Sequence, residues 1–266
     1  MTEFDTWESY FYPPPDHTTM RNLLGERDPA VLAQKEYGRT AWRQRQLNAD
    51  PSLVAHSYDA EHLRAIHRHL FQDVYEWAGE YRTQNMLKSG TMRGFADVYS
   101  GEIDRYLADA QRLVAQTDWG RLDREQFGVA AANVFAHVNQ AHPFREGNGR
   151  SSKVFLEHVA QQSGFTLDYA RVSPQVWNQA SEFSRPDIGQ YDVVPDSLVP
   201  VFRHIAVERT ATATPGVDPA ALAHSPLSAS YPKTPSRSAP TGQQSPPRGT
   251  ARPGRGYGTN GPGVGR

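Results

Sequence analysis

Apolar residues recur along the first 209 positions at the three- and four-residue spacing of a single helix face. Between Asp59 and Trp77 the set is Leu63, Ile66, Leu70, Phe71, Val74 and Trp77, which predicts one helix across that stretch. The same period returns at Ile103, Tyr106, Leu107, Ala110, Leu113 and Val114, and again at Phe127, Ala130, Ala131, Val134, Phe135 and Val138. A further helix is predicted over residues 149–162, with Val154, Phe155 and His158 or Val159 inward and Gly164 ending it. Helices near 29–47, 174–183 and 197–207 complete the set, the first opened by Asp28 as N-cap and Pro29 in its first turn. One stretch breaks the period. Residues 82–96, with Ser89-Gly90 between weakly alternating flanks, predict a short hairpin or flap.

The pattern stops at Arg209. From Thr210 to Arg266 the chain is dominated by Pro, Gly, Ser, Thr and Ala, too poor in large apolar side chains to offset the entropy of ordering. A disordered tail over 210–266 is therefore predicted, after a folded region over 1–209. Six basic residues against the single acid Asp218 give the tail about +5 and leave residues 1–209 at about −6, within a formal net charge of −1. That balance argues against a protein that coats nucleic acid, and no direct nucleic-acid binding is expected. The segment Gly254-Arg255-Gly256-Tyr257-Gly258 has no flanking strand and helix, so it reads as tail and not as a phosphate loop.

Cysteine is absent, which excludes thiol nucleophiles, disulfides and Cys-ligated metal. No apolar run approaches the roughly 18 residues of a membrane span. Acidic Glu3, Asp5 and Glu8 with Pro13-Pro14-Pro15 replace the basic-then-apolar leader of an exported chain, so the protein reads as cytoplasmic. Ten histidines include no helical zinc pair: His62 and His67 stand five apart, His67 and His69 two. His67 and His137 are accordingly read as structural, and Trp177 as core.

The chemistry concentrates in His142-Pro143-Phe144-Arg145-Glu146-Gly147-Asn148-Gly149-Arg150-Ser151-Ser152-Lys153. Pro143 disfavours helical geometry at His142, so the preceding helix should stop there. Gly147, Asn148 and Gly149 suit unusual backbone geometry, and a new helix follows at once. A glycine-rich turn feeding a helix start points several backbone N–H groups at one spot, an anion nest backed by the helix dipole. Arg150 and Lys153, on one face of the first turn, add positive charge for a polyphosphate. Glu146 is a hard oxygen donor suited to Mg²⁺, and His142 can take a proton from a hydroxyl. Phe144 reads as a core anchor. Base, metal ligand, cradle and cation together suggest phosphoryl or nucleotidyl transfer.

These twelve residues resemble the signature of the Fic family, His-x-Phe-x-Asp/Glu-Gly-Asn-Gly-Arg-x-x-Arg, at every defined position except the last, where Lys153 stands. The resemblance extends to Ile66-His67, Leu70-Phe71, Val74-Tyr75, Trp77-Ala78-Gly79 and Arg82, and to Leu23-Leu24-Gly25 with Leu32 and Glu36. It implies an all-α fold, a compact bundle of about eight helices with a β-hairpin flap, its core at about 55–207 behind an N-terminal segment over 1–54. It further implies transfer of AMP from ATP to a Tyr, Ser or Thr hydroxyl of a target protein. Carried onto these positions, His142 is the base and Glu146 holds Mg²⁺. Gly147, Asn148 and Gly149 cradle the phosphates, Arg150 neutralises the leaving pyrophosphate, and Arg145 and Lys153 join the ATP site. Lys88 and Ser89, in the flap, lie against the nucleotide and the target's extended backbone.

Lysine at 153 keeps the charge but loses the planar fork of arginine, which predicts weaker turnover. Transfer of UMP or of a simple phosphoryl group, and a non-catalytic nucleotide-binding adaptor, are the alternatives. Inhibited relatives of this type carry Ser/Thr-x-x-x-Glu-Gly/Asn. The nearest match here, Ser57 to Glu61, is followed by His62 and reads as a helix cap. The resemblance therefore implies restraint by a separate small helical antitoxin bearing that motif, and a toxin that acts in its own cytoplasm or after delivery into another cell.

Overall fold

The computed structural model describes residues 4–87 and 94–209. Lys88, Ser89 and the predicted tail lie outside the described residues. Among those described, seven α-helices and two short strands follow in order: α1 Pro29–Ala49, α2 Ala60–Phe71, α3 Glu102–Gln116, α4 Arg124–Ala141, α5 Asn148–Ala160, β1 Phe165–Leu167, α6 Pro174–Phe183, α7 Val199–Ile205 and β2 Ala206–Glu208. No helix among them is long and apolar enough to cross a membrane.

The helix starts are set by side chains that accept otherwise unpartnered N–H groups. Asp28 accepts from Ala30 and Val31, Asp59 from His62, and Asp123 with Gln126 closes a reciprocal capping box on α4. Helix α4 is the centre of the bundle. Its buried residues Phe127, Ala131, Ala132, Val134, Phe135, Ala136 and Val138 run round most of its circumference, and α3, α5 and α7 pack on it. Helix α2 packs on α1 and α5, bringing the N-terminal segment against the helix that carries the motif.

Two sequence expectations need correction. The helix expected to reach Trp77 ends at Phe71, and Val74 and Tyr75 continue in tight turns onto the Phe71 carbonyl. Val74 and Trp77 are nonetheless buried, so the apolar period outlasts the helix. The helix expected over 197–207 is also shorter. It stops at Ile205, and Ala206–Glu208 pairs antiparallel with Phe165–Leu167, Leu167 facing Ala206. Three-residue strands are too short to display a two-residue period. The flap's base is present as an antiparallel bridge between Leu87 and Gly94, with Phe95 N–H donating to the Met86 carbonyl at 3.0 Å.

Candidate active site

Pro143 ends α4, and His142 takes the C-cap position in left-handed geometry, φ 40° and ψ 56°. Its ring stacks on Phe95 of the flap's returning arm, centroids 3.7 Å apart and planes 15° from parallel. Arg82 ties the same two elements together. Its backbone N–H donates to Pro143 O at 2.7 Å, and its guanidinium donates to the carbonyls of His142, Gln84 and Ala96. The resemblance pointed to Arg82, but this bridging role has no signature in the sequence.

Phe144 is fully buried, as expected. The Asn148 side chain closes the turn around it, accepting Phe144 N–H at 2.9 Å and donating to Phe144 O at 2.8 Å. Both ends of that amide, expected on a phosphate, thus brace the loop. Gly147, at φ 85°, precedes α5 and places no capping side chain over its end. The first N–H groups of a helix have no acceptor within it, and those of α5 fall at the Gly147–Gly149 turn where the sequence predicts an anion nest.

Beneath this turn lies His67, fully buried between the rings of Phe144 at 3.8 Å and Phe71 at 4.5 Å. Gly79 N–H donates to its Nδ1 at 2.8 Å, which leaves Nε2 protonated to donate to Glu146 O at 2.9 Å. Burial pushes its pKa down to about 3. The unfolded chain takes up this proton below the ordinary value of 6.5, whereas the folded protein does not. Stability present above that pH is therefore lost as pH falls, by about 1.4 kcal/mol per unit from this residue alone. Urea unfolding at pH 7 and pH 5 is expected to reveal the loss, with a shallower pH slope in His67→Leu.

Charge is supplied from three directions. Arg150 is buried and donates to Glu36 of α1 and, at 3.0 Å, to Thr40 Oγ1; Glu36 also accepts the Tyr75 hydroxyl. Its guanidinium lies 4.4 Å over Phe71 and 3.9 Å from Glu146 Oε1. Lys153 diverges from it, reaching between Tyr169 at 5.0 Å and Trp177 at 4.9 Å. Burial pushes its pKa down to about 8, against the pull of Glu157. Arg145 sits in an aromatic cage, 3.8 Å over Trp7 and 5.2 Å from Phe11. The structure thus gathers His142, Glu146, Gly147 and Arg150 at one turn, and sends the Arg145 and Lys153 side chains into separate aromatic pockets.

Glu146 accepts Gly147 N–H at 3.0 Å. Its pKa is raised by burial and by Glu36, more than Arg150 and Arg145 offset. A carboxylate oxygen on a partly exposed side chain at this turn is the donor type that Mg²⁺ takes, and Glu146 would be the residue to hold it.

A sequence profile of the Fic/DOC family matches residues 57–160. The probable protein adenylyltransferase Fic of Escherichia coli is 30% identical over 178 residues, 66% of this chain and 83% of that protein. The chain belongs to the Fic/DOC family. Protein adenylyltransferase VbhT of Bartonella schoenbuchensis is 30% identical over 227 residues, 84% of this chain and 45% of that longer protein. The chain thus spans less than half the length of that relative. Among solved structures, the ADP-bound N-terminal Fic domain of a putative cell filamentation protein from Bartonella quintana aligns with TM-score 0.67 at 28% identity, over 76% of this chain and 95% of its own. BepC of Bartonella tribocorum, a translocated effector with bound AMPPNP, shares the Fic fold at TM-score 0.67 and 24% identity, over 76% and 98%.

Proposed function

We propose that the chain is a protein adenylyltransferase, moving AMP from ATP to a side-chain hydroxyl of a target protein. The observation that supports this is the juxtaposition at one turn: a proton acceptor, His142, opens the loop whose far end is an N–H nest flanked by Glu146 and Arg150. In this reading His142 takes the proton as the hydroxyl oxygen attacks the α-phosphorus. The bond from that phosphorus to the bridging oxygen breaks, and pyrophosphate leaves with the electron pair. Backbone N–H groups at the start of α5 hold the phosphates, and Arg150, fixed by Glu36 and Thr40, keeps positive charge beside them. Bound by Glu146, Mg²⁺ supplies the counter-charge that the triphosphate and this carboxylate share. The flap, with Lys88 and Ser89, receives the target's extended backbone.

ATP labelled on the α-phosphate and, separately, on the γ-phosphate tests this in a bacterial lysate. α-Label on a protein supports adenylylation; γ-label assigns phosphoryl transfer, and binding without label assigns an adaptor.

Restraint by a separate antitoxin belongs to the same proposal. Ser57 donates to Asp59 at 2.6 Å and Glu61 pairs with Arg64 at 2.8 Å, so that near-match is occupied in capping and surface pairing. Action in the chain's own cytoplasm and delivery into another cell are both consistent with these relatives, of which BepC is translocated.

Lys153 stands between Tyr169 and Trp177, away from the nest, and in this reading reaches the terminal phosphates by swinging out of that pocket. An ammonium that loses its proton near pH 8 predicts that kcat/KM falls as pH rises through that value. Lys153→Arg is expected to remove this alkaline limb and raise kcat/KM at pH 9. A profile flat from pH 7 to 9 would count against this role.

A further inference from the structure

Away from the motif, three histidines from three segments meet: His56 in the loop before α2, His62 on α2 and His158 on α5. One nitrogen from each lies within 4.8 Å of the other two. His62 Nε2 and His158 Nδ1 are 2.9 Å apart, and the rings of His56 and His158 stack at 4.1 Å. Tyr58 N–H donates to His62 Nδ1 at 3.2 Å, so His62 Nε2 carries the proton shared with His158. His56 Nε2 is buried and has no hydrogen-bond partner among the described residues. A buried donor or acceptor left unpaired costs free energy, and a polar pocket that leaves one unpaired is short of a partner.

We propose that His56, His62 and His158 form a binding site for a single zinc ion, independent of the nucleotide site. Three imidazoles are a donor set for zinc and not for magnesium or calcium, which take oxygen. Nitrogens on a tetrahedral ion with bonds of about 2.0–2.1 Å stand about 3.4 Å apart. The His62–His158 pair is close in distance. For all three lone pairs to meet one ion the two rings, now 12° from parallel, part slightly and turn, while His56, stacked face-on to His158, turns its edge inward. The ion replaces the shared proton, which moves to His62 Nδ1 at the expense of the long bond from Tyr58. Burial holds His62 near 4 and His158 near 3, so both are neutral and ready to ligate at physiological pH. Asp59, whose carboxylate acts on His62, provides nearby negative charge, and Tyr58 and Phe155 wall the site. Water fills the fourth position. Zinc there ties α2 and the preceding loop to α5, the helix whose other end is the phosphate nest.

The test is cobalt titration of the untagged full chain after dialysis against a chelator. One equivalent of Co²⁺ is expected to give the visible absorption of a tetrahedral site, and equimolar Zn²⁺ to abolish it by displacement. His56→Ala, which removes a half-buried loop side chain, should weaken binding at least about 100-fold with an unchanged circular dichroism spectrum. Exposed His17→Ala and His204→Ala should change nothing. If His56→Ala fails to fold, His56→Asn takes its place. No absorption at tenfold excess of Co²⁺, or undiminished affinity in the His56 variant, would overturn the proposal.

Discussion

Replacing His142 is expected to lower AMP transfer by about 10²- to 10⁴-fold, the range a positioned general base contributes, with ATP binding nearly unchanged. The separation of the two effects follows from the geometry. The imidazole stands at the start of the loop, stacked on Phe95, whereas the proposed phosphate site is the start of α5 at the far end, beyond Glu146. Alanine removes the base but also leaves a non-glycine residue without polar side chain at φ 40°. His142→Asn is the cleaner variant, because asparagine tolerates left-handed geometry and cannot accept the proton at neutral pH. Both variants should lose kcat with KM for ATP held within about twofold. A large rise in KM instead would place His142 in nucleotide binding and remove it from proton transfer.

The site was legible in the sequence because its parts are contiguous. Twelve successive residues carry the proposed base, carboxylate and nest, and Pro143 and Gly147 dictate where the backbone must turn. Side-chain directions were not legible. Asn148 spends its amide on the Phe144 backbone, and Arg150 and Lys153, expected on one face, diverge toward α1 and toward Tyr169 with Trp177. What turns Arg150 is Glu36, 114 residues earlier in the chain. Long-range pairs of this kind leave no periodic trace. His56, His62 and His158 escaped for the same reason, since spacing along one helix cannot reveal ligands drawn from three segments. The helices themselves followed their apolar period, and Asp28 marked the start of α1 correctly. The period misled where tight turns, at Val74 and Tyr75, imitate a helix face.

Gly147→Ala is expected to destabilise the fold by about 3 kcal/mol and to abolish transfer, although it adds a single methyl group. Two independent costs combine. Left-handed geometry at φ 85° costs a side-chain-bearing residue about 1–2 kcal/mol. The added carbon also falls 2.3 Å from Phe71 Cζ and 3.1 Å from His67 Nε2. Neither neighbour can yield cheaply. Phe71 is fully buried beneath the Arg150 guanidinium, and His67 is held at both nitrogens by Gly79 and Glu146. Overpacking of this kind costs about 1–3 kcal/mol, and relief by moving the loop would tilt the N–H groups away from the phosphates. Gly25→Ala separates the two costs, because Gly25 has φ 64° with open space around it and so bears only the backbone penalty. Denaturant unfolding should rank wild type, Gly25→Ala and Gly147→Ala in falling stability. Phe71→Leu placed on Gly147→Ala should recover part of the difference, a coupling between contacting residues that reports the clash itself. Equal stability of the two glycine variants would mean that the turn does not rest on Phe71, and the support assigned to α2 would fall with it.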